Sequence, residues 1–239
     1  MRQILTLLIT LFTMSAIGQQ MTLKEWEEQS KTDIRLLPKY GHRQKTENQK
    51  QLDEKFIKET MQQEAFKGNR TIASNQTIKL GFNYLYRGDL KTAMYRFNQA
   101  YLLDQTNTDI FWGFGAVYLQ LGLNDQAKKQ YEEGLTINPK NTHLLTDYGT
   151  YYLIQYYGLQ SKDKKSTDTN LDSAINYMTK SYLLDNKDQN TTFKLSVCYM
   201  LKGDCNNAWK YYDECKALGG KQITEKYTND LMQKCKRTK

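Results

Sequence analysis

Small and aromatic side chains recur along the middle of this chain with a step of 34 positions. Gly81, Gly115 and Gly149 form one series, Tyr84, Tyr118 and Tyr152 a second, and Ala93 and Ala127 a third. Phe97 and Tyr131, Ala100 and Gly134, and Gly88 and Gly122 keep the same step. Further on, Ala174 and Ala208 are again 34 apart, as are Ser181 and Cys215, but Tyr152 and Tyr199 are 47 apart, so one unit carries 13 extra residues. These are placed between Ile154 and Asp172, in the polar run 160–166. The predicted units are 74–107, 108–141, 142–188 (with the insertion) and 189–222. A period of this length marks stacked supersecondary units, and the lack of sustained strand alternation makes those units helical.

Each unit reads as two antiparallel helices. Gly81, Gly115, Gly149 and Ser196 bring the paired helices together, and Tyr84, Tyr118, Tyr152 and Tyr199 lie three residues on along the same helical face. Ala93, Ala127, Ala174 and Ala208 are the small residues of the second helix. Gly88-Asp89, Gly122-Leu123-Asn124 and Gly203-Asp204 place a glycine at one helix end and a polar cap at the start of the next.

Outside the array the pattern changes. Residues 1–18 join Arg2, an apolar run from Ile4 to Phe12 and the small residues Ala16-Ile17-Gly18, which is the layout of a secretory signal peptide cleaved after Gly18. A polar region, 19–73, follows. In it Thr22 and Glu25 have capping-box spacing, 20–45 is expected to be flexible, and 46–66 forms an amphipathic helix with Leu52, Phe56, Ile57 and Met61 on one face. That helix either shields the first unit or orders on meeting a partner. Residues 223–239 are expected to form a capping helix, with Tyr227, Leu231 and Cys235 inward, and a basic tail.

The set Gly115, Tyr118, Ala127, Tyr131 and Pro139 resembles the tetratricopeptide repeat. The likeness covers about 150 residues and is best in the second unit. Leu80-Gly81-Phe82, Tyr86-Arg87-Gly88-Asp89-Leu90 and Gly113-Phe114-Gly115-Ala116-Val117-Tyr118 also resemble exported repeat proteins of Bacteroidetes-type bacteria. Met178 in an aromatic slot, Ser196 in a glycine slot and the insertion depart from the pattern. The resemblance implies an all-α, right-handed α-solenoid of about four helix pairs with flanking amino- and carboxy-terminal helices, its concave face lined by the first helix of each unit. The residues implied for that face are Ile78, Phe82, Leu85, Trp112, Ala116, Leu119, Thr146, Thr150, Phe193 and Val197. Slots where some family members hold a terminal carboxylate are here apolar or hydroxylic, so no carboxylate clamp is expected. An apolar groove would take a partner helix or an extended segment, with Trp112 as the anchor, unless the amino-terminal helix or tight coiling fills it.

Charge and cysteines refine this picture. The net charge of +8 comes from basic residues interspersed with acidic ones, so it reads as a solvated surface and not as a nucleic-acid site. Cys198, Cys205, Cys215 and Cys235 all lie near the carboxy end, where two disulfides are expected and three pairings are open. A Cys215–Cys235 link would pin the capping helix and leave Cys198 with Cys205; free thiols are the alternative where the compartment is not oxidising. The spacing lacks the Cys-x-x-Cys pairs of structural zinc sites. The two histidines, His42 and His143, sit in different regions without a catalytic motif. No catalytic residue, cofactor, metal or small-molecule substrate is expected. The reading is a periplasmic or outer-membrane-associated scaffold that binds another protein or peptide segment of the cell envelope, with at most peripheral membrane contact, in assembly of a secretion, pilus or surface complex. The alternatives are a structural homo-oligomer whose own helices fill the groove and, more distantly, an enzyme of unrecognised type.

Overall fold

A computed structural model describes residues 21–159 and 164–237. The predicted signal peptide lies outside the described residues, and no described helix is long and apolar enough to cross a membrane. Among the described residues there are eleven α-helices and no strand. They are α1 (Leu23–Thr32), α2 (Glu47–Met61), α3 (Arg70–Tyr86), α4 (Leu90–Leu103), α5 (Asp109–Gln120), α6 (Asn124–Ile137), α7 (Thr142–Leu159), α8 (Lys164–Leu184), α9 (Gln189–Lys202), α10 (Cys205–Ala217) and α11 (Glu225–Lys234).

Several helices begin where polar caps satisfy the free N–H groups of a first turn. Helix α6, however, starts after Leu123 with no side-chain cap, so the polar cap expected in Gly122-Leu123-Asn124 does not form, the apolar Leu123 standing in the cap position. At α1 the Glu25 carboxylate accepts from the Thr22 backbone N–H at 2.8 Å, while the Thr22 hydroxyl accepts from Glu25 N at 3.3 Å. The Asp89 and Asp204 carboxylates accept from Thr92 N and Asn207 N in the same way, at 2.9 and 3.1 Å. Ahead of those two caps, Gly88 and Gly203 hold φ of +80° and +82°, a conformation glycine adopts without steric cost.

Helices α3–α10 pack as four consecutive pairs, α3/α4, α5/α6, α7/α8 and α9/α10. The glycine series is where each pair closes. A Cβ on Gly81 would stand 2.5 Å from Phe97 of the partner helix, on Gly115 2.2 Å from Tyr131, and on Gly149 2.7 Å from Met178. Phe97 also fills the space over Gly113 of the next unit, at 2.4 Å. Phe97, Tyr131 and Met178 are each 0% exposed, so the volume a glycine gives up is taken by a large side chain that stays dry. Polar contacts repeat with the same step. Asn107 donates to Ser74 Oγ and Asn75 Oδ1, and 34 places on Asn141 donates to Thr108 Oγ1 and Asp109 Oδ1, all between 2.7 and 3.0 Å.

The insertion is accommodated as helix. Helix α7 has 18 residues against 12 in α5, and α8 has 21 against 14 in α6, differences that together equal the 13 inserted positions. The part of the polar run at 160–163 lies outside the described residues, while 164–166 belong to α8. Tyr151 and Tyr156 of α7 are buried, and Tyr157 is half exposed.

Two expectations need correction at the ends. The segment 21–45 is folded: α1 is followed by short 3-10 turns at Ile34–Leu36 and Pro38–His42, and Trp26, Leu36, Pro38 and Tyr40 are buried. Those four buried side chains, spread through an otherwise polar stretch, are enough to seat it on the array. The cysteine pairing also differs: the bridge is Cys205–Cys235, with Cα atoms 5.2 Å apart, and Cys198 and Cys215 are free and buried. Cys205 opens α10 and Cys235 closes α11, so their ends meet, whereas Cys215 packs with its thiol toward Gln189 O and Cys198 lies against Met178.

Two predictions test this architecture. Gly115→Ala should lower unfolding stability by about 1–3 kcal/mol through overpacking against Tyr131, whereas Gly158→Ala, with open space around its Cβ, should be neutral or stabilising by up to about 1 kcal/mol. Urea unfolding of both variants reads the contrast. Intact-mass measurement should show reduction adding two hydrogens, with Cys198 and Cys215 alkylated only once the chain is unfolded. A gain of four would restore the two-bridge arrangement.

Candidate functional site: the first-helix face

The described part of the amino-terminal segment docks mainly on the second helices, and among the described residues the first-helix face of the first two units is not covered by it. Its main contacts run from the 3-10 turns to α4. The Asn98 side-chain N–H donates to Arg35 O at 2.8 Å and to Leu37 O at 3.0 Å, Lys91 donates to Gln29 at 3.0 Å, and Lys39 pairs with Glu133 of α6. Helix α2 touches α3 and α4 only lightly, and Leu52 is 57% exposed. Between α2, the turns and α4 lies a cleft of about 540 Å³. Its charges are matched pairwise, Arg35 with Asp33 and Lys45 with Asp53.

On the first-helix face, rings from three consecutive units meet. Phe82 of α3 lies 6.0 Å from Tyr86 and 3.8 Å from Trp112 of α5, and Trp112 stacks on His143 of α7 at 4.3 Å and 14°. Carboxylates hold this row in place. The Trp112 indole N–H donates to Asp147 at 2.6 Å, Lys194 of α9 donates to the other oxygen of Asp147 at 3.1 Å, and His143 Nδ1 donates to Asp109 at 3.1 Å. A cavity of about 340 Å³ opens beside them, lined by Tyr86, Trp112, His143, Thr146, Asp147, Asp188, Asn190 and Gln222. Tyr86 is 77% exposed, and Gln222 Oε1 is a buried acceptor with no donor among the described residues.

The hydrogen bond to Asp109 raises the His143 pKa above its usual value, and the charges of Asp109, Asp188 and Asp147 push the same way against partial burial. Asp109 moves down in return, its burial outweighed by the bond and charge of His143 and by Asn141. Partial desolvation of its hydroxyl end and the charge of Asp147 raise the Tyr86 phenol pKa, although the ring as a whole stays exposed.

Residues 108–141, the unit that supplies Trp112, match the tetratricopeptide repeat family model. A thermophilic TPR protein of Thermus thermophilus superposes with a TM-score of 0.56 at 16% identity, covering 67% of this chain and 80% of that one. The fold is the tetratricopeptide-repeat solenoid. Human IFIT1 superposes with a TM-score of 0.50 at 14% identity over 81% of this chain and 45% of that one. Anaphase-promoting complex subunit 3 of Schizosaccharomyces pombe is 28% identical over 122 residues, 51% of this chain, and the match spans only 16% of that protein.

Within the tetratricopeptide array, the ten residues expected on the face divide into three groups. Ile78, Phe82 and Leu85 are buried in the main core cluster, with Phe82 forming the floor under Trp112. Trp112, Ala116 and Leu119 are partly exposed at the surface of that cluster. Thr146, 3% exposed, donates to Ser181 Oγ, Thr150 returns its hydroxyl to Thr146 O, and Phe193 and Val197 are packed with α11, Phe193 edge-on to Tyr227 at 5.0 Å. The face is thus closed at its carboxy end by the capping helix. Ser196 explains that closure: its hydroxyl bonds Ala208 O and the Tyr227 hydroxyl, so serine in the glycine slot serves to seat α11. Trp112 differs from a vacant anchor, since Phe82 and His143 flank its ring and Asp147 takes its N–H.

The residues that sequence reasoning missed are Tyr86, His143, Asp147, Asp188, Asn190, Lys194 and Gln222. They come from α3, α7, α9 and two connections, and no local motif joins them. The one available signal was the 34-residue step from Asp109 to His143, which places the two in the same slot of successive units. Among the described residues the hydrogen-bond partner of the His143 ring is the Asp109 carboxylate.

The raised pKa of His143 means that the protonated imidazole favours the folded state. That contribution is fully present below about pH 6.5, the ordinary histidine value, and is lost as pH rises through the folded-state pKa. Wild type should therefore melt above His143→Gln by a margin that shrinks from pH 5.5 to pH 8, measured by circular dichroism. A margin independent of pH would show that the Asp109–His143 pair does not titrate as described.

Proposed function

We propose that this chain is an exported, non-catalytic scaffold that holds a helical or extended segment of another cell-envelope protein against the first-helix face of its array. The observation that carries this reading is the row Tyr86–Phe82–Trp112–His143, buried at Phe82 and exposed at Tyr86, beside a polar cavity on a face that the described amino-terminal segment, docked on the second helices, does not cover. Aromatic side chains rigidly held next to a cavity offer contact area at little entropic cost to themselves. A rigid array of this kind contributes a shaped surface, and this one has a floor of Phe82 and a wall of Trp112 already packed.

Export is supported by two independent features: the leader-like pattern of residues 1–18, and the Cys205–Cys235 bridge, which belongs with an oxidising compartment. The resemblance of 80–82, 86–90 and 113–118 to exported repeat proteins of Bacteroidetes-type bacteria points the same way. The setting proposed is the periplasm or the periplasmic side of the outer membrane, in assembly of a secretion, pilus or surface complex.

Tyr86 separates binding from stability better than Trp112, because it is exposed while Trp112 is braced on several sides. Tyr86→Ala should leave urea unfolding within about 0.5 kcal/mol of wild type and lose the envelope proteins captured by wild-type bait, whereas Trp112→Ala should lose both capture and stability. Quantitative pull-down from detergent-solubilised envelopes, paired with the unfolding curves, reads both. Identical capture by wild type and Tyr86→Ala would remove this face from the function.

A further inference from the structure

The cavity beside Trp112 is acidic within a basic protein. Asp147 and Asp188 line it and Asp109 stands behind His143 on its rim, against Lys194, paired with Asp147, and His143, paired with Asp109, while the whole chain carries +8. Each carboxylate comes from a different place: Asp109 from the first turn of α5, Asp147 from α7 and Asp188 from the cap of α9. Each already accepts protein hydrogen bonds, which fix its orientation: Asn141 and His143 at Asp109, Trp112 and Lys194 at Asp147, and Asn190 N, Thr191 N and the Thr191 hydroxyl at Asp188. A carboxylate has about four acceptor sites, so the capacity left toward the cavity lies chiefly at Asp147, with less at Asp188. Two further features of the wall ask for donors: Gln222 Oε1 is a buried acceptor without one, and the exposed Tyr86 ring offers a π face.

Resting on the groove reading above, we propose that this cavity receives an arginine side chain of the bound segment, whose apolar neighbours lie along Trp112, Ala116 and Leu119. Arginine suits the wall better than lysine. Its planar group carries five donors, enough for Asp147, Asp188 and Gln222 together, and it stacks on an aromatic face while donating in its own plane. An acidic side chain would meet Asp147 and Asp188 and be repelled. The groove therefore has a polarity that its apolar slots alone do not show, with an apolar strip over units one and two and a cation pocket where unit three meets unit four. Because His143 sits on the pocket rim facing Asp109, Asp147 and Asp188, with Lys194 beyond Asp147, its protonation weakens the pocket's hold on a cation.

The test starts from a random 12-residue peptide library displayed on phage, selected on the full mature chain and counter-selected on its Tyr86→Ala variant. Peptides that need Tyr86 should be enriched in arginine beside apolar residues. For the strongest of them, made with blocked ends and no histidine, replacing the arginine with citrulline should weaken binding about tenfold in fluorescence anisotropy, as loss of a charged hydrogen-bonding group does. Asp147→Asn, which also loosens the brace on Trp112, should weaken the arginine peptide more than the citrulline one. Affinity for the arginine peptide should rise from pH 6 to pH 8 in wild type and stay flat in His143→Gln. Tyr86-dependent peptides without basic enrichment, or with acidic enrichment, would overturn the arginine pocket and leave the groove standing. No Tyr86-dependent peptide at all would overturn both.

Discussion

The array depends on a large side chain pressed into the space where a glycine has no Cβ. Phe97 over Gly81 and Gly113, Tyr131 over Gly115 and Met178 over Gly149 set how closely successive helices approach. Phe97 does this twice, once within its pair and once across to the next unit, so the same contact that closes a hairpin also stacks it. Only with helices this close can rings from three units touch, as Phe82, Trp112 and His143 do. The polar bonds of Asn107 and Asn141 then fix the rotation of each unit on the one before.

Much of this was legible in the sequence because packing against a neighbour that looks like oneself forces the same residue types into the same slots. The glycine, alanine and aromatic series, the capping residues at Thr22, Asp89 and Asp204, and the inward face of α11 at Tyr227 and Leu231 are all local or periodic signals. What escaped is whatever occurs once. The Asp147–Trp112 and Asp147–Lys194 contacts join positions 35 and 47 apart with no repetition elsewhere, so the acidic end of an outwardly apolar face was invisible. The cysteine pairing escaped for the same reason, since which helix ends meet is decided by how α11 folds back and not by spacing. The amino-terminal segment was misjudged because its anchors are few and far apart, while Asn98, the residue that binds its backbone, looks like any surface amide until the fold is known.

Departures from the repeat are where the chain does something other than stack. Serine at 196 replaces a packing contact with a hydroxyl that holds the capping helix. The 13-residue insertion lengthens α7 and α8 by comparable amounts relative to α5 and α6, so each is longer than its counterpart there by roughly 9–10 Å. Tyr157 and Ile154, partly exposed on the longer α7, give it an amphipathic flank.

The bridge between Cys205 and Cys235 ties a segment with a separation of 30 residues at the very end of the solenoid. Closing a loop of that size removes unfolded-state entropy worth about 3–4 kcal/mol, which α11 could not recover from Tyr227 and Leu231 in so short a helix without losing much of its margin. A newly made, unoxidised chain is accordingly softest at its tail and stiffens there on meeting an oxidant. The carboxy end of the array is thus fastened by a covalent link, whereas the described amino-terminal segment is held by hydrogen bonds, an ion pair and a few buried side chains.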